Sequence, residues 1–166
     1  LQRYKLGAGP TFDQFTRFKV EKCLSSGWVS ASGSQVDMFE EISARRAGYK
    51  YSIATNSGTS AILAMLLRIR DDWPNGVVLV PEFGYAAVAL AAKTLGFDVD
   101  VVDICDETLC VGPEQLVEYI DTCCELKNGH LVQKNSGSPV ICLFLIHNFG
   151  IVPNQGALMQ ICADFE

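Results

Sequence analysis

The stretch Val77-Val78-Leu79-Val80-Pro81-Glu82-Phe83-Gly84-Tyr85-Ala86-Ala87 decides the fold. Four apolar residues in a row, with no polar alternation, fit a strand covered on both faces, as strands of parallel sheets are. Proline cannot donate to a ladder and closes the strand. Beyond it an alanine-rich helix is expected at about Tyr85 to Leu95. Working outward, an apolar helix precedes the strand at about Gly58 to Arg70, and a further strand is expected at Tyr51 to Thr55. Downstream come a strand at Val99 to Val102, a helix at about Pro113 to Leu126, a strand at Val140 to Ile146 and a helix from about Gln155. Strands and helices alternate, so the fold class is α/β: three layers, with a mostly parallel sheet flanked by helices.

Ahead of this alternation, Phe12, Phe15, Phe18, Val20, Cys23 and Leu24 recur at helical spacing until Ser25-Ser26-Gly27 ends the pattern. Ser34 can cap a second helix carrying Val36, Phe39 and Ile42, which Gly48 stops. Lys127 to Pro139 (KNGHLVQKNSGSP) is polar, rich in glycine, serine and asparagine, and reads as a surface loop. No internal repeat, linker or domain boundary interrupts the chain.

The 166 residues are 49% hydrophobic and 19% charged, which describes one globular domain with a sizeable core. A formal charge of −6 gives no electrostatic reason to expect nucleic acid or an anionic membrane as partner. No apolar run reaches the ~18 residues of a membrane span, and the opening LQRYKLGAGP lacks a signal-peptide layout. A soluble, cytoplasmic protein is expected. Seven cysteines without paired C-x-x-C spacing support neither a disulfide framework nor a zinc site, so most are expected to be small buried hydrophobes. The chain opens on Leu1 and stops at Ala163-Asp164-Phe165-Glu166, in the pattern of a last helical turn. Both ends suggest a fragment.

Ligands of open α/β sheets bind beyond the carboxyl ends of the strands, and three segments lie there. Ala54-Thr55-Asn56-Ser57-Gly58-Thr59-Ser60-Ala61 is a small-residue turn that opens a helix. The free amides of a helix N-terminus, with the hydroxyls of Ser57, Thr59 and Ser60, can hold a phosphate without any lysine or arginine. An ordinary capped turn uses the same residues, and on these residues alone the two readings stand level. No Gly-Lys-Ser/Thr follows, and no strand precedes Gly7-Ala8-Gly9, which argues against a nucleoside-triphosphate loop and a dinucleotide fingerprint. In Pro81 to Ala87, Tyr85 or Phe83 can stack on a flat heteroaromatic ring, although aromatics at a strand end more often close the core. In Ile146-His147-Asn148-Phe149-Gly150 the histidine reads more naturally as structural than as a catalytic base. His130 lies near Cys123 and Cys124, but adjacent cysteines have the wrong spacing for a metal clamp, and no metal is expected.

In order and in register, these segments resemble the DegT/StrS family of sugar aminotransferases, which depend on pyridoxal 5'-phosphate (PLP) and have the fold type I architecture of aspartate aminotransferase. Ser26-Gly27-Trp28-Val29-Ser30, Gly33 and Phe39-Glu40 resemble the family's S-G-W-x-S, G and F-E signature. Asn56-Ser57-Gly58-Thr59-Ser60-Ala61 is similar to its N-S-G-T-x-A turn. Pro81 to Ala87 resembles P-x-[aromatic]-T-[aromatic], with Gly84 where threonine is usual. Gly96 with Val102-Asp103-Ile104 and Thr108 resembles G…V-D-I…T, and His147-Asn148-Phe149-Gly150 resembles H-L-Y-G.

The resemblance implies that residues 1–166 are the N-terminal part of a PLP-binding large domain. The cofactor phosphate would sit on the amides of Gly58, Thr59 and Ser60, and Tyr85 would stack on the pyridine ring. The Schiff-base lysine and the aspartate facing the pyridine nitrogen would lie beyond Glu166, so no catalytic residue is assigned. Lys93 and Lys127 lack the motif context to stand in. The resemblance further implies a keto group on a nucleotide-linked sugar as substrate, glutamate or glutamine as amino donor, and a homodimer. A sugar dehydratase of the same family, with histidine at the lysine position, is one alternative. A non-catalytic α/β binding module is another.

Overall fold

A computed structural model describes residues 11–165. Gly7-Ala8-Gly9 and Glu166 lie outside the described residues. The chain divides into two compact units, one up to Ala54 and the other from Thr55, at a point where the sequence shows no shift in composition.

The first unit holds α1 (Gln14–Ser26) and α2 (Ser34–Ala47). Asp13 caps α1 by accepting from the Thr16 N–H at 2.6 Å, and Gly27 ends it at φ 75°. Gly33, not Ser34, is the cap residue of α2; Ser34 is its first helical residue, and no side chain caps that end. Gly48 stops α2 as expected, in a left-handed conformation. The strand expected at Tyr51 to Thr55 does not form. In place of a ladder, the Ala54 N–H donates to Glu40 Oε1 at 2.7 Å and Ser52 Oγ donates to the Glu40 carbonyl at 3.0 Å.

The second unit is the α/β body. It runs α3 (Gly58–Asp72), β1 (Val77–Pro81), α4 (Ala87–Thr94), β2 (Asp98–Val102), α5 (Pro113–Cys123), β3 (Cys124–Lys127), β4 (His130–Gln133), β5 (Val140–Leu143) and α6 (Gln155–Ala163). The sheet has the order β2-β1-β5 and both pairings are parallel. The central strand β1 is buried along its whole length, which is why its sequence is apolar without alternation. Val77 pairs with Asp98 on one side and Val140 on the other, and an irregularity follows Val77 on the β5 side. Just before it, a Cβ on Gly76 would come within 2.5 Å of Ile141 Cγ2 and 3.1 Å of the Pro139 carbonyl, so only glycine fits.

Alternate residues of β1 feed two cores. Val77 and Leu79 pack with Val102 against Leu116, Tyr119 and Ile120 of α5 and Leu158 of α6. Val78 and Val80 pack against Leu66 of α3, Val88, Ala91 and Ala92 of α4, and Phe97. Helices therefore cover both faces of the sheet, giving the three expected layers.

Two further expectations change. The segment read as a loop from Lys127 contains most of an antiparallel hairpin, β3 with β4, turned at Asn128-Gly129 with φ of 54° and 83°. Positive φ at both turn residues suits the tight two-residue hairpin turn that Asn-Gly favours. The strand expected to reach Ile146 leaves the ladder after Leu143, with one more bond from the Phe144 N–H to the Leu79 carbonyl at 3.0 Å. The cysteines are less buried than expected. Only Cys110 and Cys124 are fully buried, and Cys162 is exposed.

Candidate cofactor-binding site

Three segments leave the carboxyl ends of β1, β2 and β5, and α3 brings its N-terminus to the same end of the sheet. The last point follows from connection lengths. Four residues, 73 to 76, join the end of α3 to the start of β1, so α3 runs back antiparallel to β1 and its first turn lies beyond Pro81.

That first turn is built by local hydrogen bonds. Ser57 is in an extended conformation, and its Oγ accepts from the Ser60 N–H at 3.1 Å. Ser60 Oγ donates to Asn56 Oδ1 at 2.7 Å and lies 3.0 Å from Ser57 Oγ, while Thr55 Oγ1 donates to the Ser57 carbonyl at 2.9 Å. Of the three amides singled out from sequence, Ser60's is thus spent on the cap. Those of Gly58 and Thr59, and the Thr59 hydroxyl, make no hydrogen bond among the described residues. They are exposed at the positive end of a 15-residue helix, where a dianionic phosphate is favoured by both the open donors and the aligned peptide dipoles. A Cβ on Gly58 would meet nothing within 4 Å, so the approach is open. The residues present fit a phosphate group.

Tyr85 lies in the segment between β1 and α4, ahead of the helix and not in its first turn as the sequence suggested. It is 83% exposed, so its ring is available to a ligand and closes no core. Phe83 is also exposed, and its ring centroid lies 6.2 Å from that of Phe149.

The segment after β5 has structural duties. His147 Nε2 lies 2.8 Å from Gln155 Nε2 at the start of α6, which ties a ring nitrogen to a neighbouring amide. Asn148 Nδ2 donates to the Phe83 carbonyl at 3.2 Å and to the Leu109 carbonyl at 2.6 Å. Phe149 and Leu109 both hold φ of 55°, unusual for side chains of their size. No local pattern singles out Asn148, because its partners are 65 and 39 residues away.

His130 packs edge-on against Trp73, ring centroids 5.2 Å apart, and no group of metal-binding side chains occurs among the described residues. Cys105 lies in the turn after β2, where hydrogen bonds from the backbone, that of Thr108 foremost, hold its thiol below the ordinary value. No described helix is long and apolar enough to cross a membrane.

A parallel sheet between two helical layers, with an open helix N-terminus and an exposed aromatic beyond its strand ends, defines an α/β protein of the PLP aminotransferase fold. The chain belongs to the DegT/DnrJ/EryC1/StrS aminotransferase family, whose model matches residues 10–136. It is 32% identical over 96 residues to GDP-perosamine synthase of Caulobacter vibrioides, covering 58% of this chain and 26% of that protein. An aminotransferase of Psychrobacter cryohalolentis has a similar structure, with TM-score 0.74 and 20% identity over 96% of this chain and 36% of its own. GDP-4-keto-6-deoxy-D-mannose-3-dehydratase of E. coli, solved with hydrated PLP bound, aligns with TM-score 0.61 and 26% identity, covering 67% of this chain and 30% of that one. The chain thus spans between about a quarter and just over a third of the length of these proteins.

Proposed function

We propose that the protein to which this chain belongs is a PLP-dependent aminotransferase that converts a keto group on a nucleotide-linked sugar to an amine, with glutamate or glutamine as donor. The observation that carries the cofactor reading is the pair of unspent amides, Gly58 and Thr59, at the first turn of α3. They and the Thr59 hydroxyl would bind the phosphate, with Ser60 holding the turn in shape through Ser57. Tyr85 would cover one face of the pyridine ring. PLP, when bound, supplies an electron sink for carbanion chemistry. This chain's own residues bind and orient it. Family membership supports the sugar substrate, and the complete protein is read as a cytoplasmic homodimer.

One observation favours a second reading within the family. The E. coli dehydratase is 26% identical, against 20% and 23% for two of the matched aminotransferase structures, so removal of a sugar hydroxyl is the alternative chemistry. The complete protein, given a nucleotide-linked keto sugar and glutamate, is expected to form amino sugar and 2-oxoglutarate in equal amounts. A deoxy keto sugar with no amino sugar would establish the dehydratase, and no turnover of either kind would leave a binding module.

The phosphate seat has its own test. Gly58→Pro removes one open N–H at a helix position that proline tolerates, and Ser57, with φ −161° and ψ 159°, already has the extended conformation required before proline. It is expected to weaken PLP binding by roughly tenfold, the loss of a hydrogen bond to a charged group, while Gly58→Ala leaves it unchanged. Equal affinities for the three proteins in a PLP titration would refute the seat.

A further inference from the structure

Asn148 is the point at which the three segments beyond the strand ends meet. Its carboxamide has two N–H groups, and one nitrogen serves two carbonyls: Phe83, in the segment after β1, and Leu109, in the segment after β2. Asn148 itself follows β5. Its own backbone is fixed in turn, because its N–H donates to the Ile146 carbonyl at 3.1 Å and its carbonyl accepts from the Ile151 N–H at 2.9 Å.

Both clamped segments need holding. Leu109 sits at φ 55°, a conformation that costs a branched side chain free energy, and Gly84 sits at φ 151°. A Cβ on Gly84 would lie 3.4 Å from Ile146 Cδ1 and 3.7 Å from Asn148 Oδ1, so the backbone of the first segment lies against the third. The Phe83 and Phe149 rings, tilted by 33°, add a second contact between the same two segments. Tyr85 is one residue past Gly84 and 83% exposed, so its own packing fixes little of its position. Its backbone is held by the anchor at Phe83 together with the bond from the Glu82 N–H to the Val102 carbonyl at 2.9 Å.

We propose that Asn148 is a positioning residue for the cofactor site: by binding the Phe83 and Leu109 carbonyls together, it holds Tyr85 where that ring can cover the bound pyridine. The proposal rests on the PLP reading for its second half and on geometry alone for its first. Neither carbonyl can be served by an aspartate, which has no N–H to give, or by alanine. Serine is too short to serve both.

The test uses the 166-residue chain, with Asn148→Ala and the isosteric Asn148→Asp. Amide hydrogen exchange without cofactor is read at residues 82–86 and 106–110, with residues 77–80 of β1 as the internal reference for folding. Exchange in both outer segments is expected to rise on the order of tenfold in each variant, the effect of losing a hydrogen bond, with the reference unchanged. PLP affinity is then measured in the complete protein for wild type, Tyr85→Ala, Asn148→Ala and the double variant. Each single change is expected to weaken binding several-fold, and the double no more than Tyr85→Ala alone, because without that ring Asn148 has nothing left to position.

Unchanged exchange at 82–86 in a folded variant overturns the clamp. Fully additive losses in the cycle overturn its link to Tyr85. If the complete wild-type protein takes up no PLP, the cofactor reading fails and takes the positioning role with it, while exchange still decides whether Asn148 joins the segments. Should one variant fail to fold, the other carries the comparison.

Discussion

Cys142, in β5, titrates unlike an ordinary thiol. Burial pushes it up from 9.0 to about 11, and Cys124 is raised to about 11 mainly by burial, with Cys123 and Asp100 adding negative charge nearby. Because the folded-state value lies above the unfolded one, the neutral thiol stabilises the fold. That contribution is complete below pH 9.0 and is lost as pH rises towards about 11. The expected loss is on the order of 2–3 kcal/mol for Cys142 and smaller for Cys124, whose surroundings are wetter, read from urea denaturation on either side of that window. Cys142→Ala should remove its own share of the alkaline loss; an unchanged pH dependence would contradict the assignment. At the same scale, part of the site was legible in the sequence. That Gly58 and Thr59 keep open amides was readable because the first N–H groups of a helix have no partner within it. The duty of Ser60 was not readable, since a serine at that position can either face a ligand or serve the cap, and only the Ser57 bond decides. Asn148 was hidden for a different reason: its role depends on carbonyls brought near by the whole sheet.

Among the elements, the β3–β4 hairpin joins the body through the apolar contacts of Cys124 and Leu131, the packing of His130 on Trp73, and a polar cluster. Tyr119 of α5 donates its hydroxyl to Asp100 of β2 at 2.7 Å, and Gln133 of β4 donates to the same carboxylate oxygen. Burial first, and then the hydrogen bond to Asp100 and its charge, drive the Tyr119 pKa well above the usual tyrosine range, so the hydroxyl stays a donor at any ordinary pH. Tyr119→Phe keeps the ring among Val77, Leu79 and Leu116 but leaves Asp100 with fewer donors. A loss of about 1–3 kcal/mol is expected, with faster amide exchange in residues 124–133. No change in either would mean that water replaces the hydroxyl without penalty. The hairpin was misread because its composition is polar and its strands, only four residues each, offer too little alternation to outweigh that. The Asn128-Gly129 pair was the available signal, and it carries more weight than composition because the turn demands positive φ at both positions. The expected strand at Tyr51 to Thr55 failed in the opposite direction, since the segment forms no ladder and Ser52 and Ala54 bond to Glu40 instead.

For the whole molecule, burial is distributed very unevenly between the two units. Both hydrophobic clusters lie beyond Thr55, built on β1 and its flanking helices, whereas Ala44 is the one buried apolar residue described in the first unit. Phe12, Phe15, Phe18, Leu24 and Phe39 are all exposed there, although their spacing marks α1 and α2 in the sequence as clearly as any core helix. Periodicity reports which residues share a face, but not whether the chain in hand covers that face. Stability should follow burial. At roughly 25 cal/mol per Å² of apolar surface, a peptide that buries one alanine cannot offset the entropy of ordering two helices. Residues 55–166, made alone, are expected to unfold cooperatively and keep most of the urea stability of the full chain. Residues 1–54 alone should show only the weak helicity of an isolated peptide. Limited proteolysis of the full chain should accordingly leave a resistant product that begins between residues 48 and 60. Early cutting within β1 or α4, or cooperative unfolding of the isolated first unit, would show that the stabilising contacts are distributed otherwise.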